Sequence, residues 1–178
     1  LVIKSQWPAM TRGLLNDDKK YLETYWSRFK NIWFHGDYVF VDKDNLWYMR
    51  GRSDDVINVS GHRMSTAEIE HAVISHEKIS DAASISIPDS ITGEAIVVFF
   101  VADDTSELIT TSEISNYISE KVGKIAKPKF VFQLSDLPKT RTGKIVRRLL
   151  KSKLLGTKLG DLSSIENPKV LDEIQKLG

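Results

Sequence analysis

AASISIPDSITGEAIVVFFVA, residues 82–102, sets the architecture of this chain. AASISIP and AIVVFFVA are apolar, β-branched runs long enough for buried strands, and the turn residues of DSITGE join them, so they are predicted to pair as central strands. Toward the N-terminus, DDVINVSG reads as a short strand and turn. Ser65, with Glu68 three residues on, then forms a capping box that opens the helix TAEIEHAVISH, and Ile69, Ala72, Val73 and His76 share one face of it. Toward the C-terminus, Thr110 and Glu113 make a second capping box, and Ile114, Ile118, Val122 and Ile125 carry helical spacing as far as Pro128. KFVFQL is a last strand, KIVRRLLKSKLL from Lys144 onward an amphipathic basic helix, and GDLSSIENPKVLDEIQKLG a loop with a short terminal helix.

Further upstream, IWFHGDYVFVDKDNLWYMRGR has two alternating apolar runs around Asp42, Lys43, Asp44 and Asn45, which predicts a β-hairpin. The first 36 residues open on a short strand, LVIK, and continue to a helix over DDKKYLETYWSRF with acids in its first turn. Trp7, Tyr21, Tyr25, Trp26, Phe29, Trp33 and Phe34 are dense there, as surface that packs on something larger or as the chain's own core. The expected class is therefore α+β: a short central sheet flanked by helices, preceded by a hairpin. The polar RSDD cluster, between Arg52 and Asp55, marks the expected break and hinge.

The chain holds 178 residues, 41% of them hydrophobic, enough for a real core. Its 25 Lys and Arg against 24 Asp and Glu leave a formal charge of +1, so nothing general favours a polyanionic partner, and neither nucleic acid nor membrane is expected. The absence of cysteine excludes disulfides, thiolate metal sites and a Cys nucleophile, and fits a reducing cytosol. No apolar run approaches the roughly 18 residues that span a bilayer.

The chemistry concentrates in LPKTRTGKIVRR, where Pro138 and Gly143 bracket a basic, hydroxyl-rich loop ending at Lys144. A lysine so placed can hold a carboxylate and the α-phosphate of ATP together and neutralise the charge that builds as one attacks the other. From TGK alone, a solvated loop lysine is the commoner reading. A second segment, YMRGRSDDVINVSGHR, offers Arg52 and Arg63 around a glycine-containing turn, suited to phosphate, and Gly61, which can admit a ligand close to the backbone. In HGD, Asp37 can accept both hydroxyl hydrogens of a ribose, or hydrogen-bond its own backbone as hairpin aspartates do.

HGD, GRSDD, NVSGHR, STAEIE and PKTRTGK, in this order and at these spacings, resemble the closing motifs of the acyl- and aryl-CoA synthetases, adenylation domains and luciferases. WPAMTRGL, FKNIWFHGD and the tail LGDLSSIENPKVLDEI extend the similarity nearly end to end, toward the AMP-forming acetyl-CoA and propionyl-CoA synthetases. The resemblance implies activation of a short-chain carboxylate (acetate, propionate or 3-hydroxypropionate) by ATP to acyl-AMP, then transfer to CoA, in a cytoplasmic enzyme.

It also implies roles. Lys144 acts in adenylation; Asp37, Arg52 and Arg63 contact the nucleotide; Ser60 and Gly61 lie along the CoA path; and Asp54 is the hinge about which a C-terminal lid rotates. It suggests Mg²⁺ at backbone oxygens around Ile74, His76 and Ile79. At Ser119 this chain departs from relatives that carry a CoA-contacting Arg, and Lys121 or Lys124 would have to supply the charge. Residues 1–54 would be the end of a large N-terminal domain and 55–178 the lid. The ATP phosphate loop and acyl pocket would sit in the missing N-terminal part, leaving the fragment inactive alone; the full enzyme can be a homo-oligomer.

Two other readings remain open from the residues. One is a non-catalytic module that grips anions through Arg147, Arg148, Lys151, Lys153 and Lys158. The other is an adenylation domain that loads a carrier protein.

Overall fold

The computed structural model describes residues 1–53, 55–103 and 109–174. The chain divides into two compact units, Leu1–Asp54 and Asp55–Gly178.

In the first unit, strand β1 (Val2–Ile3) pairs antiparallel with β2 (Trp33–Phe34), and helix α1 (Asp18–Tyr25) lies between them in sequence. Asp17 caps α1 by accepting the N–H of Lys20 at 3.1 Å. The predicted helix runs further, to Phe29. It stops earlier here, and the Ser27 hydroxyl turns back onto the Glu23 carbonyl at 2.5 Å, a local bond that competes with helix continuation.

Trp33 is buried at the centre of the aromatic residues. Tyr25 stacks on it at 4.2 Å, and Trp7 and Trp26 meet it edge-on at 5.5 and 5.7 Å. Those side chains thus make a small core of their own. Exposed apolar side chains gather on the hairpin of β3 (Asp37–Val41) and β4 (Trp47–Arg52), where Trp47 is 63% and Met49 60% exposed, with Leu15, Leu22 and Phe29 exposed outside it. Its turn is fixed by Asp42, whose carboxylate accepts the N–H groups of Leu46 and Asp44, each at 2.9 Å, and the Tyr48 hydroxyl at 3.0 Å. These bonds, the one from Leu46 first, hold the Asp42 carboxyl below its usual range.

The second unit is built on β7 (Ile79–Asp89) and β8 (Gly93–Ala102), antiparallel along their whole length. The other edge of β8 takes β5 (Val56–Val59) at Gly93 and, further along, β9 (Phe130–Gln133) in parallel from Val97 to Phe100. Strand β6 (His62–Ser65) pairs outside β5, completing a five-stranded mixed sheet. Along β8 successive side chains enter opposite cores. Ile96, Val98 and Phe100 pack under α2 (Thr66–Ile74) and α3 (Thr111–Lys121), whereas Ala95, Val97 and Phe99 pack under α4 (Arg147–Leu154) and the 3-10 segment Pro168–Glu173. Both phenylalanines are fully buried, each worth about 1.5–3 kcal/mol over exposure.

The expected α+β class, with a central sheet flanked by helices, is the fold observed. Both predicted N-caps are present: the Ser65 hydroxyl accepts the N–H of Ala67 and the Thr110 hydroxyl that of Glu113. Several boundaries differ, among them the end of α2, at Ile74 and not His76. Strand β6 follows the turn directly, in residues expected to lead straight into a helix. Helix α3 ends at Lys121, because Gly123 sits at φ +122°; a single 3-10 turn, Lys124–Ala126, follows, which buries Ala126 and leaves Ile125 exposed. Helix α4 starts at Arg147, since Ile145 pairs with Lys139 and the N–H of Val146 bonds to the Pro138 carbonyl. No helix among the described residues is long and apolar enough to cross a membrane.

Candidate functional site

Lys144 stands at the end of a tight hairpin-like loop. Thr140 and Lys144 face each other: the N–H of Thr140 donates to the Lys144 carbonyl at 2.9 Å, and the N–H of Lys144 to the Thr140 hydroxyl at 3.2 Å. The N–H of Gly143 closes a turn onto the Thr140 carbonyl at 2.8 Å. Gly143 occupies the position that such three-residue connections reserve for the left-handed region, with φ +80°. A Cβ there would meet nothing within 4 Å, so backbone conformation and not space requires the glycine. Lys144 is exposed, and its ammonium has no hydrogen-bond or ion-pair partner among the described residues.

The base of this loop is held by the chain's own tail. Thr140 forms a bridge with Ile165, and the N–H of Glu166 bonds to the Lys139 carbonyl at 2.9 Å. Asn167 is the clasp. Its amide donates to Asp136 at 2.6 Å and to the Leu137 carbonyl at 2.8 Å, while its oxygen accepts the N–H of Lys139 at 3.0 Å. The Lys139 ammonium lies between Asp81 at 2.9 Å and Asp136 at 3.0 Å.

The bond to Asp81 leads in raising the Lys139 pKa above its ordinary 10.5. Burial pushes Asp136 up, but hydrogen bonds from Lys139, Leu137 and Asn167 outweigh it and hold the carboxyl below 3.8. A raised Lys139 stabilises the fold fully below pH 10.5 and loses that effect as pH climbs through the higher folded value. A depressed Asp136 stabilises above pH 3.8 and loses the effect as pH falls through the lower one. The ion pair therefore serves across the whole neutral range. Asn167→Ala is expected to cost about 1–2 kcal/mol, by orphaning the N–H of Lys139, and to speed hydrogen exchange at Lys139 and Glu166; unchanged exchange at Lys139 would show that the tail does not hold the loop.

In the first unit Asp37 and Arg52 come together. The Asp37 carboxylate contacts His35 Nδ1 at 2.6 Å and Arg52 Nη1 at 3.6 Å, so its partners are these side chains and not its own turn. Gly36, at φ +92°, lets the guanidinium lie against the backbone; a Cβ would come within 2.8 Å of Arg52 Nη2. In the second unit, Ser60 (φ +50°) and Gly61 (φ +86°) are the two central residues of the β5–β6 turn, whose paired strand ends are Val59 and His62. A two-residue connection with positive φ at both positions matches strand twist, and it leaves Gly61 open: a Cβ there would find nothing within 4 Å. Arg63 is exposed on β6. Asp54, expected as the hinge, lies outside the described residues.

Ser119 turns its hydroxyl back onto the Ser115 carbonyl at 2.9 Å, and the Lys121 ammonium lies 5.4 Å from the Tyr117 ring centre, whereas Lys124 is exposed. Ile74, His76 and Ile79 lie where α2 ends. The His76 carbonyl already accepts the N–H of Ile79 at 3.1 Å, its Nδ1 accepts that of Lys78 at 3.3 Å, and Nε2 is 3.6 Å from Glu113. Main-chain carbonyl oxygens at the negative end of α2 suit a hard cation such as Mg²⁺ in kind. Among the described residues no three His, Cys, Asp or Glu side chains gather as a metal site.

One pairing joins two of the quoted segments, STAEIE and LPKTRTGKIVRR, in a way the sequence did not show. Glu70, buried on α2, accepts a two-pronged contact from Arg147 at 2.8 and 2.6 Å, and also the N–H of Ser84 at 2.7 Å. An acid on the same helix face as Ile69 and Val73 was the available signal. Arg148 donates to the Leu159 carbonyl, Lys151 to Ser86 at 3.4 Å and Lys153 to Asp172 at 3.2 Å. Of the five basic residues considered for gripping anions, only Lys158 is left without such an engagement among the described residues, which weighs against an anion-binding module.

Residues 68–144 match the model of the AMP-binding enzyme C-terminal domain. The chain is 42% identical to the acetyl-coenzyme A synthetase of Pyrobaculum arsenaticum, over 99% of its length, and 40% identical to acetyl-coenzyme A synthetase 1 of Candida albicans, over 98%. It spans 27% of the length of each of these relatives. Among solved structures, a Mycobacterium tuberculosis fatty acyl CoA synthetase superposes with a TM-score of 0.58 at 25% identity, covering 80% of this chain and 27% of that one. ATP-bound MatB from Rhodopseudomonas palustris gives 0.68 at 20% identity, covering 79% and 27%, a likeness of fold alone.

Proposed function

Because the chain belongs to the AMP-binding enzymes that carry this C-terminal domain, we propose that it is the C-terminal part of an AMP-forming acyl-CoA synthetase, which activates a short-chain carboxylate as acyl-AMP and passes it to CoA. The observation that carries the reading is the Lys144 ammonium: exposed and, among the described residues, unpartnered, at the end of a loop whose base is fastened by Asn167 and Lys139. With the loop backbone already fastened, the freedom lost when this cation meets anions is that of its own side chain. The cation can bring a carboxylate and a phosphate into contact and neutralise the charge that accumulates between them.

Asp37, with Arg52 and His35 on its carboxylate, is the group suited to ribose hydroxyls. Arg63 has an exposed guanidinium for phosphate, and the open turn at Ser60 and Gly61 allows a slender thiol-bearing arm to pass close to the backbone. In this reading residues 1–54 close the large N-terminal domain and 55–178 form a lid that turns about Asp54. Adenylation and thioester formation need different groups at one carbonyl, and a rotating lid can present each in turn. Mg²⁺ enters with ATP; bound at the carbonyls of Ile74, His76 and Ile79, it would brace the end of α2.

The test is AMP release by the full-length enzyme from ATP, with acetate, propionate or 3-hydroxypropionate, in the presence and absence of CoA. CoA-dependent release of AMP and pyrophosphate is expected from the full-length enzyme and none from the 178-residue chain alone. Release that needs a carrier protein instead of CoA would overturn the assignment.

A further inference from the structure

The loop that carries Lys144 is tied to itself at its tip. The backbone bonds among Thr140, Gly143 and Lys144 are joined by a contact of 3.0 Å between the Thr140 and Thr142 hydroxyls, so the tip moves as one piece. Where Lys144 leaves the body of the second unit is therefore decided by the two stems. The outgoing stem is held by residues that precede it in the chain: the N–H of Val146 bonds to the Pro138 carbonyl at 2.8 Å, and Arg147 grips Glu70 on α2. The incoming stem, residues 136–139, takes Asp81 of β7 on the Lys139 ammonium and takes Asn167 from the tail.

Asn167 is half-buried, and among the described residues all three of its side-chain bonds, to Asp136, Leu137 and Lys139, end on that stem. The tail that carries it is anchored by other means. Ile165, Val170, Leu171 and Ile174 are buried in the core that they share with Phe99 and Leu149, and Glu173 accepts the N–H of Ser135 at 2.8 Å. An amide that spends two donors and an acceptor on one neighbouring segment, from a segment fixed elsewhere, sets the orientation of that neighbour as well as its distance.

We infer that Asn167 is a positioning residue for adenylation: acting through Lys144, it sets where the ammonium meets the carboxylate and the α-phosphate, and touches neither itself. The inference rests on the role proposed above for Lys144. A displacement of about 1 Å near a reacting centre can cost on the order of a hundredfold in rate. The flexible four-carbon stem of a lysine absorbs part of such a shift, so a loss of about tenfold is expected.

A double-mutant cycle in the full-length enzyme tests it, with acyl-AMP formation followed as pyrophosphate release without CoA, on whichever of acetate, propionate or 3-hydroxypropionate the parent activates. Asn167→Ala is expected to lower kcat for this step about tenfold, with KM for ATP and carboxylate, and thioester formation from supplied acyl-AMP, within about twofold of the parent. In a Lys144→Ala background the same change should cost less than about twofold, because no cation is left to misplace. Asp136→Asn sets two amide N–H₂ groups face to face and loosens the clasp from its other side; it should slow adenylation several-fold, again only while Lys144 is present, so the outcome does not depend on the folding of one variant. Parent rates in Asn167→Ala, equal slowing of both half-reactions, or losses that add in full to that of Lys144→Ala would overturn the inference and leave the proposed activity standing. A Lys144→Ala enzyme that adenylates at the parent rate would instead remove the role of Lys144 and this inference together.

Discussion

Lys144→Ala in the full-length enzyme is expected to slow acyl-AMP formation by about a thousandfold, while thioester formation from supplied acyl-AMP stays within a few-fold of the parent. The selectivity follows from where the charge is needed. Carboxylate and phosphate repel each other before adenylation, whereas an acyl-adenylate already carries its bond and needs no cation to bring two anions together. Because the ammonium makes no contact within its own unit among the described residues, removing it should leave the fold intact. Unaltered thermal unfolding therefore belongs to the prediction. Comparable loss in both half-reactions would remove Lys144 from its proposed role.

Arg147→Met is expected to destabilise the second unit by about 3 kcal/mol or more, a drop in melting temperature of roughly 10 °C. The guanidinium meets both oxygens of Glu70, a carboxylate with almost no access to water, and without it the N–H of Ser84 is what remains to that charge among the described residues. Hydrogen bonding to Glu70 is also the leading reason why the Arg147 pKa is raised above its ordinary value, so the cation persists at every working pH. The double variant Glu70→Gln with Arg147→Met removes the buried charge while keeping an acceptor for Ser84, and it should recover most of the loss. A double variant no better than the single one would mean that Arg147 acts through packing and not through charge.

Much of the second unit was legible because its strands are apolar on both faces and its helices announce their starts. Ile96, Val98 and Phe100 face one core and Val97 and Phe99 the other, so the run had to be a central strand whichever way it turned. Ser65 and Thr110 marked two helix starts through hydroxyls that bond locally. What depended on distant partners was not legible. Residues 62–64 gave no strand signal between the turn and the Ser65 cap because, of their side chains, only Met64 is buried, and their pairing with β5 is seen only in the backbone.

Lys144 was expected to open a helix. Instead Ile145 pairs with Lys139, and the tail completes the arrangement from more than twenty positions further on. The pairing of Glu70 with Arg147, 77 positions apart, left no local trace beyond an acid on a greasy helix face. Of the candidate site residues, Asp37 and Arg52 adjoin one another, as do Ser60, Gly61 and Arg63. Motif order could name these groups, but it could not supply the His35 contact, the Gly36 cradle or the Asn167 clasp.

During synthesis the Lys144 loop leaves the ribosome well before Ile165 to Asn167, the residues that fasten its base. A nascent chain thus presents Lys144 on an unfastened tether, and the loop gains its folded shape only after later-made residues have docked. Proteolytic nicking between Leu155 and Ser164 would let the tail leave, loosening the Lys144 loop together with the core face that Ile165, Val170, Leu171 and Ile174 cover.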